Sequence, residues 1–216
     1  MTAPVKAQLG RRARKALETR RRVLDAAEAL FTRDGYAATT MTAIAEQADV
    51  AVQTLYAVFG SKRAILTELI DARVVGDDHA GSLPGREDWR AMEREPDPQQ
   101  QLALFAQIAT QIGNRSAAIN EIMAQAAGAD REIAAIYQQQ RRSRYRDERR
   151  IARSLARKGA LREGLSETQA ADIIWAIATT RTYRALVGER RWTTDEYERW
   201  LKDLLARALL AEPTDI

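Results

Sequence analysis

The chain has 216 residues, enough to bury a substantial core in one large domain or two small ones. It contains no cysteine, which excludes disulfides and thiolate metal sites, and its single histidine, His79, excludes most histidine-based catalytic and zinc arrangements. No segment approaches the roughly 18 uninterrupted apolar residues of a membrane span, and the arginine-rich N-terminus lacks the apolar run of a signal peptide. We therefore expect a soluble, cytoplasmic protein.

The positive charge is concentrated at the N-terminus. Residues 1–75 hold 12 basic and 8 acidic side chains, whereas residues 76–216 hold 22 of each. Most of the excess precedes residue 23, so a basic arm (residues 1–18) is attached to a neutral body. Such an arm suggests contact with a polyanion, usually nucleic acid, with a solvated tail as the alternative.

The sequence predicts that the first part of the chain is helical. Residues 5–83 and 99–212 contain no proline and are rich in good helix formers, and no segment shows the alternating pattern of a strand. Apolar residues of one buried face recur up to Asp34. The predicted helices run from within 11–20 to Asp34, from Thr40 to about Ala48, over 52–59 and over 62–75.

The second part begins after a predicted loop at 77–97, within which we expect one helical turn near 86–94. Asp97-Pro98 is a helix start, and capping boxes at Ser166-x-x-Gln169 and Thr193-x-x-Glu196 open the last two helices. The predicted helices here are 98–112, 115–127, 130–158, 167–187 and 194–210. The fold class is therefore all-α.

Residues 40–59 place two short helices around the turn Asp49-Val50-Ala51. The small residue Ala45, with Ile44, Leu55 and Phe59, can form their shared core. This spacing predicts a helix-turn-helix, in which the second helix enters the major groove of DNA.

Residues 19–66 resemble the DNA-binding domain of TetR-type transcriptional regulators. The motifs that carry the resemblance are Leu30-Phe31-x-x-x-Gly35-Tyr36, Thr39-Thr40, Ile44-Ala45-x-x-Ala48-x-Val50 and Thr54-Leu55-Tyr56-x-x-Phe59-x-Ser61-Lys62-x-x-Ile65-Leu66. The resemblance implies a helix-turn-helix DNA-binding domain over 19–62 and a helical ligand-binding and dimerisation domain over 63–216. Two residues depart from the family pattern. Asp49 replaces a common glycine but tolerates a left-handed turn, and Ala51 replaces a frequent serine and so removes one phosphate contact.

The same resemblance implies which residues contact DNA. Gln53 can bond an adenine, and Val52 or Thr54 can meet a thymine methyl. The remaining residues are predicted to contact phosphates or the edge of the groove, namely Arg22, Thr40, Thr42, Tyr56 and Lys62. Core packing for Tyr56, helix capping for Thr40 and solvated charge for Arg22 are the alternatives.

The helical body is expected to hold a mainly apolar ligand between its helices. The residues interpreted as its lining are Phe105, Ile108, Ile112, Met123, Ile136, Tyr137 and Trp175. The last two helices carry wide apolar faces, which predicts a homodimer formed as a four-helix bundle. The residues assigned to that interface are Ile173, Ile177, Trp200, Leu201, Leu204, Leu205 and Leu209.

Two charged segments have open interpretations. Residues 141–158 hold nine basic side chains, which indicates either an anion-binding surface or, more simply, a long exposed helix paired with its neighbours. The cluster Asp77-Asp78-His79 can in principle bind a metal, but loop polarity is the simpler interpretation. We expect no cofactor and no metal.

These patterns predict a non-enzymatic, sequence-specific transcriptional regulator. It would be a repressor that binds a palindromic operator as a homodimer and is released by a small apolar ligand. The alternatives are a helical small-molecule-binding protein or enzyme with a vestigial DNA-binding fold, and a constitutive DNA binder without a ligand. No Ser/His/Asp set, cysteine nucleophile, phosphate-binding glycine loop or paired-carboxylate motif favours an enzyme.

Overall fold

The computed structural model describes residues 11–76 and 83–211, with side chains described from Arg14 onward. The chain divides into two compact units, the first ending at Leu69 and the second beginning at Ile70. The cluster Asp77-Asp78-His79 and most of the basic arm lie outside the described residues.

The described residues form helices joined by short turns, and no strand is present among them, so the all-α prediction is confirmed. The first unit contains α1 (Arg11–Ala38), α2 (Met41–Gln47), α3 (Val52–Phe59) and the start of α4 (Lys62–Val75). After a short 3₁₀ turn (Leu83–Gly85), the second unit contains α5 (Glu87–Arg94), α6 (Pro98–Ala127), α7 (Arg131–Arg157), α8 (Glu167–Ile177), α9 (Thr180–Tyr183), a π-helical turn (Arg184–Glu189) and α10 (Thr194–Leu209). None of the described helices is both long and apolar enough to cross a membrane.

Gly35 interrupts α1 with a kink shortly before the helix ends at Ala38, because its φ of 81° lies outside the helical range. The Thr39 hydroxyl donates to the Gly35 carbonyl over 2.8 Å. Thr40 then caps α2 by accepting from the backbone N–H of Ala43 at 3.1 Å. These bonds join α1 to the helix-turn-helix that follows.

The interior of the first unit is apolar and closely packed. Apolar side chains from all four helices are fully buried, and Ala45 lets α2 approach its neighbours closely. The largest of them are Phe31, Ile44, Leu55, Ile65 and Leu66.

The predicted break between helices 98–112 and 115–127 is wrong, because α6 runs unbroken from Pro98 to Ala127. Gly113 has helical geometry and faces Tyr183, and a Cβ atom at this position would lie 2.5 Å from the Tyr183 Cγ. The glycine therefore makes room for an aromatic ring instead of ending a helix.

The single helix predicted over 167–187 is also wrong. Helix α8 ends at Ala178, whose ψ of 55° is not helical. The next helix, α9, is capped by the Thr179 hydroxyl, which accepts from the Thr182 N–H at 2.9 Å. The π-helical turn and a left-handed Arg191 (φ 62°) complete the irregular connection to α10. This path inserts Tyr183 into the core of the second unit.

The second unit has one large apolar core, contributed by α5 to α10. Trp89 and Phe105 meet edge to face, with ring centroids 6.4 Å apart. Tyr183 and Tyr197 do the same at 4.9 Å. Both predicted capping boxes are present at the starts of α8 and α10.

Candidate nucleic-acid interface and effector region

The helix-turn-helix consists of α2, a three-residue turn and α3. Asp49 adopts the left-handed conformation (φ 51°) that the turn requires, so the prediction that aspartate would preserve the turn is confirmed. The Val50 N–H donates to the Ala45 carbonyl over 3.0 Å and closes the turn. Leu55 and Phe59 point into the core, which fixes the opposite face of α3 outward.

The outward face of α3 carries the residues predicted to contact bases. Gln53 and Thr54 are exposed, and Val52 is half-buried at the start of the helix. Tyr56 is 51% exposed, which excludes core packing as its role. An amide and two hydroxyl groups thus project from one short helix, as hydrogen bonds to base edges and phosphates would require.

Thr40 and Thr42 lie at the first turn of α2, and both are exposed. The Thr40 oxygen caps the helix, while its exposure leaves it available to a further partner. Arg22 is exposed on α1, and its guanidinium lies 3.8 Å from the Asp49 carboxylate of the turn. An ion pair this exposed contributes little energy, so Arg22 can exchange Asp49 for a phosphate.

Lys62, which the sequence analysis assigned to a phosphate contact, makes hydrogen bonds within the first unit. Its ammonium donates to the carbonyls of Tyr36 and Thr39, both over 2.6 Å, and to that of Ala37 over 3.3 Å. It also lies 4.3 Å from the centroid of the Tyr36 ring. Partial burial lowers the pKa of this ammonium below its ordinary value. Lys62 therefore holds the junction between α1 and α2 together.

Arg20 also has a structural role inside the first unit, which sequence patterns alone did not indicate. Its guanidinium forms a paired interaction with the Glu68 carboxylate and lies 4.9 Å from the centre of the Phe59 ring. These contacts tie α1 to α3 and α4.

The residues predicted to line a ligand pocket fall into separate groups. Phe105 and Ile108 belong to the apolar core of the second unit, with Ile112 packed against it. Tyr137 and Trp175 are half-buried and share Arg141, whose guanidinium lies 5.7 Å and 4.8 Å from their ring centroids. The remaining two predicted residues are Met123, which is buried, and Ile136, which is half-buried.

A buried carboxylate lies close to the second group. Glu148 is 3% exposed, and its Oε1 accepts from the Arg144 Nε at 2.7 Å. Arg144 also donates to the Trp175 carbonyl and lies 5.6 Å from the Trp175 ring centroid. Burial raises the pKa of the Glu148 carboxyl to about 7, and the Arg144 charge opposes that rise.

Most of the basic stretch 141–158 is paired with neighbouring helices. Arg150 makes two bonds to the Glu93 carboxylate of α5, at 2.7 and 3.0 Å. Arg153 bonds Glu167 of α8 at 3.2 Å, and the Lys158 ammonium donates to the Gln101 side chain over 2.6 Å. These partners match the interpretation of a long helix paired with its neighbours.

Three residues assigned to the dimer interface are wrong for that role. Leu201, Leu205 and Leu209 are fully buried in the core of their own chain, so they cannot form a surface for a partner. The other four residues of that prediction are only half-buried, namely Ile173, Ile177, Trp200 and Leu204. They leave a narrower apolar stripe on α8 and α10 than the sequence predicted.

The C-terminal end of α4 is held by two arginines of the second unit. Arg86 is 7% exposed, and its guanidinium donates to the Val75 carbonyl over 2.7 Å. The same guanidinium also donates to the Asp88 carboxylate. Arg115 of α6 donates to the Arg73 carbonyl over 3.2 Å. Positive groups at a helix C-terminus satisfy its free carbonyls and its dipole.

The fold and the exposed face of α3 define a helix-turn-helix protein, and comparison with known proteins agrees. Residues 23–69 match the model of the bacterial regulatory proteins of the TetR family. The HTH-type transcriptional repressor KstR of Rhodococcus jostii (strain RHA1) is 41% identical over 91 residues, which are 37% of this chain and 43% of that protein. The chain spans about half the length of the curated relatives it matches.

Solved structures match over much more of the chain. The regulator FadR from Bacillus subtilis, in complex with stearoyl-CoA, has a TM-score of 0.70 at 16% identity and covers 87% of this chain and 98% of its own. NalD, the secondary repressor of the MexAB-OprM multidrug efflux pump in Pseudomonas aeruginosa, has a TM-score of 0.68 at 19% identity and covers 94% and 100%. These likenesses show a shared fold. The match of residues 23–69 is to the DNA-binding part of the TetR family, so the N-terminal segment of this chain is similar to that domain.

Proposed function

We propose that the protein is a sequence-specific transcriptional repressor that acts in the cytoplasm without catalytic activity. The observation that carries the proposal is the exposed face of α3, where Gln53, Thr54 and Tyr56 project from a helix-turn-helix of the TetR type. One such helix reads only a few base pairs, so tight binding needs two of them on a palindromic operator. A homodimer supplies that pair.

The half-buried stripe of α8 and α10 supports the homodimer. Ile173, Ile177, Trp200 and Leu204 keep apolar surface exposed on two helices that are otherwise anchored in the core. Packing these two helices against the same two of a partner would bury that surface in a four-helix bundle. The domain boundaries that go with this function are a basic arm at 1–18, a DNA-binding domain at 19–62 and a ligand-binding and dimerisation domain at 63–216.

Release from DNA is assigned to a small, mainly apolar ligand bound within the second unit. Residues 70–75 of α4 belong to that unit, and Arg86 and Arg115 hold their carbonyls. A ligand that shifts these arginines would shift α4 and, with it, the chain leading to the DNA-binding domain. Such a ligand changes DNA affinity only by the difference in its own affinity for the two states.

The direct test is selection of DNA from a randomised library at constant salt, which is expected to enrich one palindromic sequence. Gln53→Ala should then cost about 1–3 kcal/mol and relax the preference at one base position of each half-site. Gln107→Ala, the same change at an exposed position of α6, is the matched control. Failure to enrich any sequence would favour a small-molecule-binding protein whose DNA-binding fold is vestigial.

A further inference from the structure

The turn of the helix-turn-helix carries a carboxylate that the turn itself does not need. The turn is held by backbone bonds, because the Asp49 N–H donates to the Glu46 carbonyl over 3.2 Å and the Val50 N–H to the Ala45 carbonyl over 3.0 Å. Helix α3 begins after Ala51 without a side-chain cap. The Asp49 side chain is 100% exposed. Its carboxylate is therefore available to a charged group at the surface.

The charged group that lies beside this carboxylate is Arg22 of α1. The Arg22 guanidinium lies 3.8 Å from the Asp49 carboxylate, and the arginine side chain is itself 51% exposed. Among the residues whose side chains are described, Arg22 is the cation within ion-pair distance of Asp49. Water reaches both charges, so the pair is weak and either member can exchange its partner.

The two arginines before Arg22 are paired elsewhere. Arg20 is bound by Glu68 of α4, and the Arg21 guanidinium lies 3.9 Å from the Asp25 carboxylate of its own helix. Neither of these two carboxylates belongs to α2, to the turn or to α3. Arg22 is thus the arginine of the three whose acidic partner lies directly before α3.

DNA brings phosphates close to this turn. In a helix-turn-helix, the N-terminal residues of the second helix reach the base edges, so the turn that precedes them lies near the DNA backbone. Arg22 must leave Asp49 before it can pair with a phosphate there. Direct repulsion between the exposed carboxylate and a phosphate is screened by salt. The larger effect of Asp49 is therefore the competition for Arg22.

We propose that Asp49 limits the affinity of the protein for DNA by holding Arg22 in the free protein. The carboxylate takes the place of a DNA phosphate, and binding exchanges one for the other. Asp49 is thus a positioning residue that acts through Arg22. Because phosphate contacts carry no sequence information, its effect is the same on every DNA sequence. This inference rests on the proposed DNA binding and adds a residue that sets its strength.

The test measures DNA affinity of the full chain by fluorescence anisotropy at constant low salt. The two duplexes are the sequence enriched from the randomised library and a scrambled duplex of the same length. Asp49→Asn removes the charge and keeps a residue that tolerates the left-handed turn. It should tighten binding to both duplexes by about threefold or more, since a dimer releases two arginines.

Asp25→Asn is the matched control. It removes the carboxylate of another exposed arginine–aspartate pair, at 3.9 Å instead of 3.8 Å, and makes the same change in net charge. Because this pair lies within α1, the substitution should change DNA affinity by less than about twofold.

A double-mutant cycle shows whether Arg22 carries the effect. Arg22→Gln should weaken binding to both duplexes, and adding Asp49→Asn to it should tighten binding by no more than about 1.5-fold. Circular dichroism establishes that each variant is folded. If Asp49→Asn does not fold, Asp49→Gly serves instead, because glycine also adopts the left-handed conformation, and the same gain in affinity is expected.

Three results would overturn the proposal: Asp49→Asn does not tighten binding, Asp25→Asn tightens it equally, or the gain persists undiminished beside Arg22→Gln. The last result would assign the effect to direct repulsion. The proposal also fails if neither duplex is bound. Failure of the library to enrich a sequence contradicts the proposed function alone, because the scrambled duplex still reports the exchange at Arg22 through sequence-independent binding.

Discussion

Glu148 makes the stability of the second unit depend on pH near neutrality. Its carboxyl has a pKa of about 7 in the folded chain and an ordinary value of 4.5 when unfolded. Between those values the folded state retains a proton that the unfolded state has lost, so stability falls as the pH rises. The expected loss is about 3 kcal/mol, complete once the pH exceeds 7.

Urea unfolding at several pH values from 5 to 8 measures this effect. The difference in unfolding free energy between the wild-type chain and Glu148→Gln should change across the window, since glutamine does not titrate. Parallel curves for the wild type and Glu148→Gln would mean that burial does not raise the pKa of Glu148.

Lys62 offers a second test at the scale of one residue. Lys62→Met removes the donor to the Tyr36 and Thr39 carbonyls, and it should lower the unfolding free energy of the chain by about 1–3 kcal/mol. Arg21→Met removes a charge from α1 whose side chain is 73% exposed, and it should leave stability within about 0.5 kcal/mol of the wild type. Unchanged stability in Lys62→Met, together with uniformly weaker DNA binding, would instead support the phosphate contact predicted from the sequence.

At the scale of the elements, the contact between α6 and α9 depends on one missing side chain. Gly113→Ala would place a Cβ 2.5 Å from the Tyr183 ring, so the ring or the helix must move. The expected cost is about 1–3 kcal/mol, although alanine is ordinarily the better helix former. The midpoint of urea unfolding measures it.

Gly188→Ala is the matched control for this substitution. A Cβ at Gly188 would meet only the flexible Arg184 side chain, at 3.4 Å, and should leave stability nearly unchanged. A stabilising effect of Gly113→Ala would show that Tyr183 does not pack against α6 as described.

For the whole molecule, the question is which leucines of α10 face a partner. Leu204→Glu places a carboxylate in the half-buried stripe and should weaken a dimer by about 3 kcal/mol, roughly a hundredfold in dissociation constant, while the chain stays folded. Leu201→Glu buries the same charge inside the chain and should unfold the second unit.

Sedimentation velocity and circular dichroism separate the two outcomes. The wild-type protein should sediment as a dimer at micromolar concentration, and Leu204→Glu as a folded monomer with weaker operator binding. A folded dimer of Leu204→Glu would remove this stripe from the interface.

The sequence by itself determined the features that depend on neighbours along the chain. The bounds of α3 and α4, the left-handed Asp49, the capping boxes and the outward face of α3 all follow from residues within a few positions of each other. Local hydrogen bonds and a helical repeat are sufficient to specify them, so the helix-turn-helix and its exposed Gln53 were predictable.

The tertiary structure alone decided the features that depend on distant partners. Gly113 continues a helix because Tyr183 occupies its missing side-chain volume. Lys62 binds carbonyls that the fold of α1 brings within reach of its ammonium. Leu201 faces inward because α5 to α8 supply enough apolar surface to cover it. The Glu148 Oε2 is buried because distant helices pack around it, and none of the described residues donates to it. The burial of a residue depends on all the contacts that it makes across the fold, so it cannot be predicted from the sequence pattern around that residue alone.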